Sequence, residues 1–403
     1  MMAPVAPSAR APLDVRIGVL SIALVALALP LAGLRYRLAE DTPLFHFAYL
    51  FDVPAVVAIA LALPRLRRSA PAAALAGTAF LALAAVALAA HPSARGLHLL
   101  ARLVEAGLLA AAVALVGARA ERVVVAAALV AAAAAQTLIA IAQVQHGAPV
   151  GIGVLGEFAD PLVAWGTTVA PRGTLTDGST LAGLALLAAA VSVRHALSSS
   201  RALAWIALAA LTIVPLGLSS SRTAIVGAAL VCACLAPLAA RSTRVRWAIG
   251  ALVIGVAIPA AVQWDGWTAS GGRGAASDRG ALVAQAAAII ASSPLVGVGP
   301  ARYDDVLASR PELHTTAQVQ PVHDVPALVA AEDGIPSAAV VVALLAIVMR
   351  DAWRRGWATL AVAAALVAWI LLDQWPYTNP TGLALVGLWL GLSRWPSGGP
   401  PPR

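Results

Sequence analysis

Three arginines and one histidine stand where a hydrophobic chain has no need of them. Ser219-Ser220-Ser221-Arg222-Thr223-Ala224 joins two apolar stretches, and its arginine opens the second. A cation there sits at the positive pole of the helix dipole. Two readings stand for it. One is a guanidinium reaching to lipid head groups. The other is an anion site, in which Arg222 and the free N–H groups of the helix start hold a phosphate beside Ser219 and Ser221. Pro171-Arg172-Gly173-Thr174-Leu175-Thr176-Asp177-Gly178 reads as a glycine turn before a capped helix, and Arg172 taken alone is an ordinary loop charge. Asp278-Arg279 precedes an apolar helical segment over 281–291. Pro294-Leu295-Val296-Gly297-Val298-Gly299-Pro300 then lacks the lysine and spacing of a Walker loop, so it reads as a tight turn. His323, in Val322-His323-Asp324-Val325-Pro326, lies just outside a re-entering apolar segment. Histidine titrates near neutrality and suits general-base work, although a lone loop histidine is more often inert. His314 is a nearby rival with less context.

The elements that must hold these residues follow from composition. Of 403 residues, 61% are hydrophobic and only 11% charged, with mean hydropathy +0.86. Soluble domains are about a quarter charged, so a soluble multidomain enzyme is excluded, and so is intrinsic disorder. Apolar stretches run near 17–34, 45–63, 70–90, 97–117, 123–145, 179–193, 202–218, 223–240, 247–263, 335–349, 357–372 and 380–393. A bilayer crossing takes about 20 such residues, and the helix keeps its backbone hydrogen bonds internal. The expectation is an all-α polytopic membrane protein of about 12 transmembrane helices, with short helices in a large external loop between spans 9 and 10. Its segments are a five-span bundle over 1–145, a first external loop over 146–178, spans 6–9 over 179–263, the large loop over 264–334, and spans 10–12 with a tail over 335–403.

The net charge of +8 comes wholly from arginine, and seventeen of the 27 basic residues lie on alternate connections and at both termini, Arg10, Arg67, Arg68 and Arg403 among them. By the positive-inside rule both termini are cytoplasmic, which places Arg172, Arg222, Arg279 and His323 outside. The excess charge is then topological, and a nucleic-acid partner is not needed to explain it. Within the spans, Arg102 and Glu105 share a helix face at i, i+3, and Gln136 and Gln143 also stand out. Intramembrane ionisable residues are functional candidates, and a structural ion pair explains Arg102 and Glu105 equally well. Cys232 and Cys234 fall inside an apolar span and read as packing residues.

In order along the chain, these blocks resemble the O-antigen ligase and O-antigen polymerase superfamily of bacterial membrane glycosyltransferases. The resemblance rests on Arg172-Gly173-Thr174, on Ser219-Ser220-Ser221-Arg222, on Arg279 ahead of Pro294 to Gly299, and on His323 with Glu332, Gly334 and Pro336. It covers roughly residues 170–340. It implies a GT-C-like protein of the bacterial cytoplasmic membrane that needs no cofactor or metal. The donor would be an undecaprenyl-diphosphate-linked glycan, and the acceptor a glycan, lipid or cell-wall hydroxyl at the outer face. Arg222 and Arg279 would hold the diphosphate with Arg172 as a third contact, and His323 would take the acceptor proton. Family members usually follow that histidine with Asn or Ser. Asp324 departs from this, and a carboxylate there bears on the histidine or on acceptor binding. The rival from another class is a transporter or flippase of a lipid-linked glycan, which would put its polar residues near mid-membrane.

Overall fold

The computed structural model describes residues 12–33, 49–66, 72–158, 162–165, 168–219, 221–264, 275–313 and 320–395. His314, Ser220, Arg10, Arg67, Arg68 and Arg403 lie outside them, as does the side chain of Arg222.

Each of the twelve apolar stretches carries a helix. The first five are α1 (Leu13–Ala28), α2 (Asp52–Leu66), α3 (Ala72–Ala90), α4 (Ala94–Ala114) and α5 (Arg119–His146). The next four are α6 (Gly178–Ser198), α7 (Ala202–Leu218), α8 (Arg222–Ala239) and α9 (Thr243–Val262). Among the described residues, six helical segments, including Arg119–His146, Gly178–Ser198 and Ile335–Arg355, are long and apolar enough to cross a membrane. Others, such as Ala202–Leu218 and Trp357–Leu372, are apolar but shorter. The chain is a helical, multi-pass membrane protein.

The segment after α9 contains α10 (Ala275–Ser292), α11 (Tyr303–Ser309) and α12 (Val325–Asp333). It leads into α13 (Ile335–Arg355), α14 (Trp357–Leu372), the single turn α15 (Trp375–Thr378) and α16 (Pro380–Leu392). The sequence suggested only 281–291 for α10, and the helix begins earlier. Leu282, Gln285, Ala286 and Ile289 are its buried stripe, at the 3.6-residue spacing of a packed face, and α10 packs against α12.

One departure from an all-helical chain lies in the first long loop. Val163–Trp165 and Thr168–Ala170 form a two-stranded antiparallel hairpin, with Val163 opposite Ala170. Both strands are rich in β-branched or aromatic residues. Strands this short give too little periodicity to be read from sequence.

Helix α6 is the axis of the bundle. It is buried on every side from Thr180 to Arg194, as expected of a helix apolar all round, and it packs against α5, α7, α8, α9, α14 and α16. Gly183 permits one close approach: a Cβ there would stand 2.5 Å from the Trp369 ring of α14. Asp177 starts α6 by accepting the Thr180 N–H at 2.7 Å, a capping bond that typically stabilises a helix by about 1 kcal/mol. The cap sets the height at which Ser179 emerges.

Candidate active site

The Arg172-Gly173-Thr174 turn is held by the two glutamines that stood out in the fifth span. Gln143 Oε1 accepts from the backbone N–H groups of Arg172 (3.1 Å) and Gly173 (2.9 Å), and its Nε2 donates to Gly173 O at 2.9 Å. Two turns earlier on α5, Gln136 Oε1 accepts from Thr174 N at 2.8 Å, and its Nε2 donates to Thr174 Oγ1 at 3.0 Å. Gly173 has φ +63°, and a Cβ there would lie 2.1 Å from Gln136 Oε1, so the position requires glycine. Thr174 Oγ1 also donates to the carbonyl of Pro30, which lies in the 3-10 turn Leu29–Gly33 after α1. These glutamines therefore satisfy a turn.

Glu157 braces the same corner. It accepts from Gln143 Nε2 and from the N–H groups of Val150 and Ile152, each at 2.8 Å. Burial opposes its charge, but hydrogen bonds from Gln143, Val150 and Ile152 together outweigh burial and hold the carboxyl below its ordinary value. Arg172 itself donates to Phe158 O at 3.4 Å and stacks 5.2 Å from the Phe158 ring.

His323 stands beside a carboxylate that the motif reading did not include. Its Nδ1 lies 3.9 Å from Asp373 Oδ1, with the imidazole about a quarter exposed and the carboxylate buried. Asp373 ends α14 and accepts hydrogen bonds from Ser179 Oγ and from Trp375 N at 3.3 Å. The start of α6 thus fixes the acid, and the acid faces the histidine. Asp324 has a structural task here. Its Oδ1 accepts Ala327 N at 2.7 Å and so caps α12; burial pushes its carboxyl up. Asn, Ser and Asp are about equally good N-caps, so an Asp in place of the usual Asn or Ser leaves the local backbone unaltered.

The glycine-rich turn is the other support of His323. Val298 N donates to Ala331 O at 2.9 Å, Gly299 N to Glu332 O at 2.8 Å, and Ile335 N to Pro294 O at 2.8 Å. The Glu332 carboxylate accepts Ala301 N at 3.0 Å and Tyr303 N at 3.1 Å. Glu332 is therefore a latch that ties the turn to the α12–α13 junction. Burial and the neighbouring Asp333 push its carboxyl up to about 8, and burial pushes Asp333 up to about 6. Both values lie above those of an unfolded chain, near about 4. Their contribution to stability is thus full below that value and is lost as pH rises through 6 and then 8. Thermal unfolding of the purified protein should show a midpoint that falls between about pH 4 and pH 8, with a smaller fall in Glu332→Gln. An unchanged midpoint in the wild type would count against the latch.

The other positions expected to act are distributed around this end of the bundle. Thr223 Oγ1 donates to Leu372 O at 3.0 Å, which docks the start of α8, and with it Arg222, next to Asp373. A Cβ on Gly178 would be 3.8 Å from Ser219 Cβ and 3.1 Å from Pro171 O, so the Arg172 turn, the start of α6 and the end of α7 meet. Ser219 Oγ donates back to Leu216 O at 3.4 Å, and Ser221 is half-buried. Arg279 is exposed on α10, which reaches the site only through its packing against α12.

Residues 207–342 match the protein family described as O-antigen ligase. This region of the membrane protein is O-antigen ligase-like. The matched region runs from α7 through the first turns of α13 and includes Ser219, Ser221, Arg222, Arg279, His323, Asp324 and the Glu332 latch. Arg172, Ser179 and Asp373 lie outside it. No curated protein matches the chain. The match supports a membrane enzyme of the ligase/polymerase type. Asp373 was missed from sequence because the later spans matched the family in hydropathy only. The one available signal was an Asp-Gln pair closing an apolar run just before Trp375-Pro376-Tyr377.

Proposed function

We propose that the protein transfers a glycan from an undecaprenyl-diphosphate carrier to an acceptor hydroxyl, at the outer face of the bacterial cytoplasmic membrane. The observation that carries this reading is the His323–Asp373 pair, held by Ser179 beside the start of α8. Asp373 favours the imidazole tautomer with the proton on Nδ1, which leaves Nε2 free to accept a proton. The gap of 3.9 Å is longer than a hydrogen bond, and such contacts commonly tighten when substrate is bound.

In the reaction the acceptor oxygen attacks the anomeric carbon, and its proton passes to His323 Nε2. The bond from that carbon to the carrier's diphosphate oxygen breaks, and the diphosphate leaves with the electron pair. Arg222 and Arg279, with Arg172 as a third contact, neutralise the charge that grows on the leaving group. Guanidinium suits this task because its planar fork binds two phosphate oxygens at once. The acceptor class is a glycan, lipid or cell-wall hydroxyl, and the lipid bilayer supplies the carrier.

Arg222→Lys tests the clamp, since it keeps the charge and loses the fork. The expected result is a fall in kcat of about 10²-fold, the scale of removing one transition-state donor. It would be read in detergent with a polyprenyl-diphosphate glycan and an acceptor glycan. Full activity in that variant would refute the arginine clamp. A divalent-metal chelator added to the same assay should leave the rate unchanged, and its abolition would refute a clamp made of arginines alone.

A further inference from the structure

His323 and Asp373 each stand two residues ahead of a short helix, α12 and α15, and those two helices are fastened to each other at a second point. Tyr377, in the single turn of α15, donates its phenol O–H to Asp333 Oδ2 at 2.8 Å. Asp333 is the last residue of α12. The two residues are 3% and 2% exposed, so bulk water does not compete for the bond. Asp333 Oδ1 has no hydrogen-bond partner among the described residues. A buried carboxyl without a donor is costly, so the phenol holds this end of α12 firmly.

Other bonds of the Asp373–Asn379 segment run to the start of α6. Asp373 accepts from Ser179 Oγ, while Asn379 Nδ2 donates to Thr176 Oγ1 and, at 3.2 Å, to Asp177 Oδ2. They place the segment against α6, and the Tyr377 bond places it against α12. The Asp333 end of α12 is also held by Ser337 Oγ, which donates to Asp333 O at 2.8 Å, and by the Glu332 latch. Helix α12 has nine residues, or about 13 Å at 1.5 Å per residue, and His323 lies beyond its free end. A tilt of about 5° about the anchored end would move the histidine by about 1 Å over that length. Such a shift separates a contact at 3.9 Å from one at hydrogen-bond distance.

We propose that Tyr377 and Asp333 are positioning residues for the transfer reaction, their bond setting the distance and orientation at which Asp373 faces His323. The inference rests on the reading of His323 and Asp373 given above. The bond needs an acceptor oxygen and not a charge, since a phenol donates to an amide carbonyl as it does to a carboxylate. Neither residue takes part in the chemistry, and both act through the Asp373 carboxylate.

Tyr377→Phe breaks the bond from one end and keeps the ring, and Asp333→Ala breaks it from the other. Steady-state transfer by the purified full chain in detergent should show kcat lower by about 10- to 100-fold in each, since a misplacement near 1 Å can cost that much. KM for the carrier should not change, because the bond acts on the proton-accepting pair. Asp333→Asn keeps an acceptor oxygen for the phenol and should keep a kcat close to that of the wild type. In an Asp373→Asn background, Tyr377→Phe should lower kcat no further, because the carboxylate it positions is already gone. A general loss of folded protein would slow both backgrounds alike, so an equal fall in the two overturns the inference. Wild-type kcat in folded Tyr377→Phe or Asp333→Ala, with Asp373→Asn slowed, overturns it too and leaves the His323–Asp373 reading standing. Wild-type turnover in Asp373→Asn itself would refute that reading and the inference together.

Discussion

His323→Ala should lower the rate of glycan transfer by about 10²–10⁴-fold, the range that general-base removal gives. The loss should fall on kcat, because the imidazole acts on the acceptor proton and contributes little to holding the carrier. Asp373→Asn should reproduce part of it, about 10²-fold, by leaving the imidazole without the carboxylate that orients it. The two effects should not add: the double variant should be no slower than His323→Ala alone, because Asp373 works only through the histidine. Ser179→Ala should do less, since Trp375 N remains to hold the acid. The measurement is steady-state transfer with purified protein, with substrate binding followed separately. Full turnover in His323→Ala would remove the proposed base. An additive double variant would give Asp373 an independent role.

Gly334→Ala should be the most damaging small substitution for stability. Gly334 joins α12 to α13 at φ +87°, and an added Cβ would stand 2.2 Å from Leu295 O and 2.5 Å from Leu295 C. Backbone cannot yield as a side-chain tip does, and the left-handed conformation is itself unfavourable for alanine. A loss of about 3 kcal/mol or more is expected, seen as a lower thermal midpoint in detergent. Gly250→Ala is the control. Nothing lies within 4 Å of its Cβ position, and alanine favours a helix by about 1 kcal/mol, so that variant should be as stable as the wild type or more so. Transfer should also fall in Gly334→Ala, because the junction carries the latch that seats α12 behind His323. A Gly334→Ala protein as stable as Gly250→Ala would show that the junction adapts freely.

How far the sequence could be read depended on the range of the forces involved. The helices were legible because each is a local hydrophobic run whose backbone must satisfy itself in lipid. The cap of α6 was legible for the same reason, as Asp177 acts on an N–H group three residues away. Tight turns at Gly173 and Gly297 were visible as glycine among larger residues, although what crowds them was not. The hairpin over 163–170 was not legible, because two three-residue strands carry almost no periodic signal.

The residue types and their order therefore sufficed for a helical membrane protein with arginines and a histidine gathered on one set of connections, and for the resemblance of residues 207–342 to the O-antigen ligase family. Partnership across the bundle was beyond them. That Gln136 and Gln143 hold the Arg172 turn, that Asp373 faces His323, and that Asp52 completes the Arg102–Glu105 pair are contacts spanning 29 to 50 residues of chain. A carboxylate pairs with whatever charge or donor packing brings within about 4 Å. In a chain of near-uniform Ala, Leu and Val, that packing is decided by where glycines such as Gly183 let helices approach.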